Sequence, residues 1–236
     1  MSMSLMCSPV FDQATEYSSE WSKEVEEIIP NLTVMEGKPF TRREVELELE
    51  GKRLFIFYGH GGEDCLYGSP DEKVVDLKNI DKLPKETYTM ACSSAKKLGV
   101  EVWRSGRMFW GYIEPFIFTT DSLSEFKQFA NNGIKLYSKG STWSTALEET
   151  KKLGRELSTM LSNDGRFIAS IAMGEDAENL RLYDEYNYPK ESTCILRRIA
   201  IKLFGSRGWA ISRRGLTQLG RDPLGRGSNV STLERD

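Results

Sequence analysis

The chain has 236 residues, 39% hydrophobic and 28% charged, values ordinary for a soluble globular protein and large enough for one sizeable domain with an appendage. A net charge of -3 gives no global pull toward nucleic acid or anionic lipid, and no apolar run approaches the roughly 18 residues a bilayer span needs. Cys7, Cys65, Cys92 and Cys194 are scattered without a C-x-x-C pair, and the start of the chain lacks the basic and long apolar segments of a signal peptide, so a reducing cytoplasm is the expected setting.

Leu5 to Phe11 reads as a short apolar strand closing at Pro9 and Asp12. Gln13 to Ile29 follows with Trp21, Val25, Ile28 and Ile29 at helical spacing. Leu32 to Met35 is a second strand. Thr41 then caps a helix with Glu44 as its capping-box partner, Val45 and Leu49 as its apolar face and Gly51 as its stop. Leu54 to Tyr58 is apolar without alternation, the pattern of a strand covered on both faces of a parallel sheet. It runs into Gly59-His60-Gly61-Gly62, which contains the chain's one histidine. Strand, helix, strand, helix, strand is the order of a doubly wound α/β sheet, whose ligands gather beyond the carboxyl ends of the strands.

Glu63 to Ser69 is polar, Asp76 to Leu83 suits a short helix or turn, and Thr87 to Cys92 is the next strand, ending in Cys92-Ser93-Ser94. Met108 to Phe118 reads as an aromatic-rich strand interrupted by Gly111 and Pro115. Leu123 to Tyr137 and Thr142 to Leu161 are amphipathic helices, and Phe167 to Met173 reads as one more strand. The predicted organisation is a domain over residues 1–204 and a glycine-, arginine- and serine-rich tail over 205–236, too poor in apolar residues to fold alone.

Two consecutive strands thus carry His60 and Cys92 at their ends. If they pair directly, a Cys-His dyad for acyl transfer becomes possible, with turn amides to hold the oxyanion. Cys65 is the rival thiol, but Glu63 and Asp64 would raise its pKa. One histidine and four scattered cysteines argue against a zinc site, and Gly59 to Gly62 lacks the following Lys-Ser/Thr of a phosphate loop. Neither a metal nor a cofactor is expected.

Phe55-Ile56-Phe57-Tyr58-Gly59-His60-Gly61 and Tyr88-Thr89-Met90-Ala91-Cys92-Ser93-Ser94 resemble the paired marks of the caspase-like cysteine peptidases. That group includes caspases, metacaspases, gingipains, legumains, separases and bacterial CHAT-domain proteases, and the pattern here is nearest its bacterial members. The resemblance covers Arg53 to Phe118 by motif and Leu5 to Gly51 by element order, and is not carried past Leu161. It implies a three-layer caspase-like fold with a mostly parallel central sheet flanked by helices. It also implies His60 as general base and acid, Cys92 as nucleophile, and the Gly61 and Cys92 amides as oxyanion donors. Asp12, at the end of the first strand, would favour Arg or Lys before the scissile bond, while Glu114 and Asp121 either line the groove or are simply solvated. The expected partners are a protein or peptide substrate and a regulatory or accessory protein, with no membrane. The other class of function is a catalytically inactive caspase-like interaction module. Nucleic acid is the weakest expectation, resting on Arg197, Arg198, Lys202, Arg207, Arg213 and Arg214.

Overall fold

The structure, a computed structural model, describes residues 3–188, 209–212 and 215–218. The chain divides into two compact units, residues 1–189 and 190–236. The first is an α/β unit built on a six-stranded sheet. Its strands are β1 (Ser4–Ser8), β2 (Leu32–Glu36), β3 (Leu54–Tyr58), β7 (Glu86–Met90), β8 (Met108–Tyr112) and β9 (Leu180–Tyr183), in the order β2-β1-β3-β7-β8-β9. All neighbours pair in parallel except β8 and β9. Between β3 and β7, β4 (Gly61–Gly62), β5 (Cys65–Ser69) and β6 (Glu72–Asp76) form a separate antiparallel sheet.

Helices cover both faces of the large sheet, and the alternation of side chains along β3 divides the core in two. Leu54, Ile56 and Tyr58 face a cluster with Trp21 and Val25 of α1 (Gln13–Ile28), Phe126 and Phe129 of α4 (Leu123–Ser138), Trp143 and Leu147 of α5 (Trp143–Asn163) and Ala172 of α6 (Phe167–Asn179). Phe55 and Phe57 face Val45 and Leu49 of α2 (Arg42–Leu49), Leu98 and Val102 of α3 (Leu98–Arg104), and Leu66, Val74 and Val75 of the small sheet. Every residue of β3 is buried, as an unalternating apolar run requires.

The predicted capping box at α2 forms, and α1 has one that the sequence reading did not name. Asp12 caps α1 through the Thr15 amide at 2.8 Å, and Thr41 and Glu44 close a capping box at α2. Phe167 to Met173, expected as a strand, is instead the first half of α6. The buried residues of that helix are Ala169, Ala172, Met173, Asp176 and Ala177, a spacing of three and four, while Phe167 and Ile168 stand 63% and 77% exposed. The helical stripe is thus mostly alanine with Met173, and Phe167, Ile168 and Ile171, which suggested a strand, point outward. Close packing demands this, because a Cβ on Gly154 of α5 would lie 2.6 Å from the Ala177 Cβ.

Met108 to Phe118 is a strand only as far as Tyr112, and the rest is an irregular strap. Asp76 to Leu83 contains one 3-10 turn, Ile80–Lys82, and the polar stretch after Gly62 supplies β5. In the second unit, Trp209–Ser212 (β10) and Gly215–Gln218 (β11) pair antiparallel within the predicted tail. The remainder of that tail and the basic residues Arg197, Arg198, Lys202, Arg207, Arg213 and Arg214 lie outside the described residues. No helix among the described residues is long and apolar enough to cross a membrane.

A buried polar relay crosses the larger core cluster. The Tyr58 hydroxyl donates to Asn131 Oδ1 at 2.7 Å, and Asn131 Nδ2 donates to the Trp21 carbonyl and to Glu24, which in turn holds Lys127 and Lys135. Tyr58→Phe leaves the buried Asn131 oxygen without its donor and should cost about 1–3 kcal/mol. Urea unfolding of the two proteins measures the loss, and an unchanged midpoint would show that the relay does not stabilise the fold.

Candidate active site

The site sits where β1, β3 and β7 end side by side. Tyr58 lies opposite Met90 in the β3–β7 register, and one residue further on the Gly59 amide donates to the Met90 carbonyl at 3.2 Å. The loops carrying His60 and Cys92 therefore leave the sheet as neighbours. Gly61 is packed so tightly on the cysteine turn that a Cβ there would lie 2.7 Å from the Cys92 carbonyl oxygen and 2.9 Å from the Ala91 Cβ, so the position admits only glycine.

His60 is oriented from the first strand. Its Nε2 lies 2.6 Å from Asp12 Oδ2, and Phe11 packs beside the ring with centroids 5.5 Å apart. Asp12 is itself immobilised as the cap of α1, with Oδ1 accepting from the Thr15 amide and hydroxyl. Partial burial pushes the Asp12 carboxyl up, but the Thr15 bonds and His60 outweigh it and hold it below the usual carboxylate range. A carboxylate on Nε2 makes that nitrogen the proton carrier, which leaves Nδ1 of the neutral ring as the basic nitrogen.

Cys92 follows β7 in a turn fixed by hydroxyls. Thr89 Oγ1 donates to the Trp110 carbonyl and meets Ser94 Oγ at 2.9 Å, and Ser94 Oγ donates to the Ala91 carbonyl. The Ser93 amide donates to the Glu114 carbonyl and the Ala95 amide to the Tyr112 carbonyl, which ties the turn to β8 and its strap. Ser93 adopts φ of +53°, an uncommon conformation for a side-chain-bearing residue that costs about 1 kcal/mol and bends the chain sharply after the thiol.

The Cys92 thiol is half-buried and donates to the Phe116 carbonyl at 3.8 Å rather than to His60. Burial raises its pKa, backbone bonding with Phe116 opposes the rise, and Asp176 adds to it. His60 and Cys92 therefore stand on neighbouring loops with separate partners, the imidazole on Asp12 and the thiol on the Phe116 carbonyl, and with no hydrogen bond between the two side chains. Cys65, the rival thiol, is buried in β5, where burial again raises its pKa. Cys7 is fully buried in β1 with its pKa raised far further. Cys194 lies outside the described residues.

Both predicted oxyanion donors are free of the ladders. The Tyr67 amide bonds the His60 carbonyl at 3.0 Å, which makes Gly61 opposite Leu66 a non-hydrogen-bonded pair and turns the Gly61 N–H away from β5. The Cys92 amide has no backbone acceptor among the described residues and supports its own thiol. Glu114 contributes its carbonyl to the cysteine turn, while its exposed carboxylate acts on Lys96. Asp121 is exposed at the start of α4, where it accepts from Thr119 and Ser122. These bonds hold its carboxyl below the usual range.

A contact the sequence did not announce joins the two loops. Glu63, three residues past His60, pairs with Lys96 at 2.8 Å and Lys97 at 2.6 Å, while its carbonyl accepts from the Lys97 and Leu98 amides. The two lysines pull its pKa down to about 2. Among the described residues no group of histidine, cysteine and acidic side chains could hold a metal ion. No protein-family model matches the chain, and no curated protein sequence matches it.

Two outcomes follow. Iodoacetamide on the folded protein should modify Cys92 ahead of Cys65 and Cys7, with a rate still climbing past the usual thiol pKa of roughly 8.5. Peptide mapping by mass spectrometry reads the order, and preferential modification of Cys65 would reverse the assignment of the accessible thiol. Because the folded pKa of Glu63 is depressed, its ionic clamp is whole above the usual glutamate value of 4.5 and is lost as pH falls toward about 2. Amide exchange at Lys97 and Leu98, corrected for intrinsic rate, should accelerate through that window, and less so in Glu63→Gln, which lacks the titrating group.

Proposed function

We propose that the protein is a cysteine endopeptidase of caspase-like type in which Cys92 is the nucleophile, His60 the general base and acid, and Asp12 the residue that orients His60. The observation that carries this reading is the 2.6 Å contact between Asp12 Oδ2 and His60 Nε2 on a loop packed against the cysteine turn. A histidine that merely fills a glycine turn has no need of a carboxylate anchored as a helix cap.

In this reading His60 Nδ1 takes the Cys92 proton as Sγ attacks the scissile carbonyl carbon. The S–C bond forms, and the carbonyl electron pair moves to oxygen, where the Gly61 and Cys92 amides receive it. Collapse expels the amine, which takes the proton from His60 and leaves a thioester. A water then loses its proton to His60 and attacks the thioester, releasing the acid and returning the thiol. Asp12 stabilises the imidazolium between these transfers. With its carboxylate committed to His60 and to the helix cap, Asp12 is not a free anchor for a basic side chain, so an Arg or Lys preference is not part of the proposal. The site residues call for no cofactor.

The second reading, an inactive interaction module, draws on the thiol's bond to the Phe116 carbonyl and its raised pKa, which describe a nucleophile at rest. A peptide library and an acyloxymethyl ketone probe separate the two. Catalysis predicts cleavage and labelling in the wild type and loss of both in Cys92→Ala. His60→Ala should lose cleavage, and Cys65→Ala should keep it. Asp12→Asn retains the helix cap but not the charge, and should lower kcat by about 10²-fold or more. Cleavage persisting in Cys92→Ala would end the proposal, and absence of both cleavage and labelling in the wild type would favour the module.

A further inference from the structure

The strap that follows β8, from Ile113 to Phe118, lies across the cysteine turn and is bonded on two sides. Toward the turn, the Glu114 carbonyl accepts from the Ser93 amide at 3.1 Å and the Phe116 carbonyl accepts from the Cys92 thiol at 3.8 Å. Toward α6, the Ile113 amide donates to the Asn179 carbonyl at 3.0 Å and the Ile117 amide donates to Asp176 Oδ1 at 3.1 Å. The Phe116 ring is buried and stacks on Phe129.

Asp176 is 1% exposed, and its Oδ2 is buried with no hydrogen-bond partner among the described residues. A carboxyl group so placed costs stability, which calls for a role that offsets it, and alanines share its helical face. Its hydrogen bond among the described residues goes to the strap. The peptidase chemistry described above makes no use of it.

We propose that Asp176 is a positioning residue for Cys92: by holding the Ile117 amide it seats the strap so that the Phe116 carbonyl covers the thiol and accepts its hydrogen, keeping the nucleophile shielded from water at rest. The inference rests on reading Cys92 as the nucleophile. Burial drives the Asp176 carboxyl well above the usual range, the Ile117 amide opposes the rise and Glu175 adds to it. Glu175 neighbours it on α6, and Tyr112 of β8 and Cys92 on the turn both feel its charge. Geometry and charge therefore make different predictions, because Asn at 176 removes the charge and keeps an oxygen for the Ile117 amide.

The test is the rate of iodoacetamide alkylation at Cys92, located by mass spectrometry, as a function of pH in the full chain. Wild type is compared with Asp176→Asn, Asp176→Ala and Ile117→Pro, the last deleting the amide donor at a residue whose side chain is 47% exposed. Asp176→Asn keeps an oxygen for the Ile117 amide and loses only the rise that the charge gives the thiol, so its profile should move clearly less than that of Asp176→Ala. Asp176→Ala and Ile117→Pro should let water reach the sulfur, shift the profile to lower pH and raise the rate at neutral pH about tenfold, the effect of one unit of thiol acidity. Wild-type profiles in both Ala and Pro variants overturn the proposal, and so does an Asn variant that shifts as far as Ala, since charge alone would then be operating. If circular dichroism shows Asp176→Ala unfolded, Ile117→Pro decides, and an unshifted profile there overturns it. Alkylation needs no turnover, so a chain that cleaves no peptide yet shows these shifts loses the peptidase reading, and with it the nucleophile role, but keeps Asp176 as the residue that seats the strap over the Cys92 thiol.

Discussion

The arrangement depends on one pairing, that of β3 with β7. Parallel neighbours lie about 4.8 Å apart, and a register that sets Tyr58 against Met90 delivers His60 and Cys92 to the same edge of the sheet. A slip of one residue in that register would turn the alternate side chains of β3 to the wrong face, and both halves of the core forbid it. Ile56 and Tyr58 are locked among helices on one side, Phe55 and Phe57 among α2, α3 and the small sheet on the other. The position of the loops is therefore set by apolar burial deep in the sheet, well away from the polar groups that would do chemistry.

Local bonds then refine what the register delivers. Asp12 spends one oxygen on the α1 cap and the other on His60, so the rigidity of a helix terminus is passed to the imidazole. On the cysteine side, Thr89 and Ser94 lend hydroxyls to carbonyls, and the Cys92 amide has no backbone acceptor among the described residues. Glu63 joins the two loops by charge at the surface, where each contact is weak and salt-sensitive, and by two backbone bonds that are not.

Much of this was legible in the residues. The unbroken apolar run of β3 announced a strand covered on both faces, Thr41 and Glu44 announced a helix start, and the strand-end placement of His60 and Cys92 allowed a shared edge if their strands paired. Less legible was anything resting on small residues or long-range bonds. α6 buries alanines and exposes Phe167 and Ile168, so hydrophobicity pointed to the wrong element. The strap after Tyr112 keeps aromatic side chains in the core while its backbone leaves the sheet, which a reading by residue type cannot separate from a strand. The partner of Asp12 was invisible because a contact across 48 positions leaves no periodicity. The contacts of Glu63 with Lys96 and Lys97 and of Asp176 with the Ile117 amide leave no periodicity either.

The antiparallel strand β9 carries a consequence for how the chain reaches this state. It closes the sheet by pairing Tyr183 with Phe109, after α4, α5 and α6 have all been made. During synthesis β1, β2, β3, β7 and β8 can assemble while the outer edge of β8 still shows unpaired amides and carbonyls. An open, apolar edge awaiting a distant segment is where partly folded chains pair with one another. The helical trio between β8 and β9 therefore acts as a delay in folding, and the yield of soluble protein should depend more on how quickly α4 to α6 collapse onto Trp110 and Tyr88 than on any residue at the strand ends.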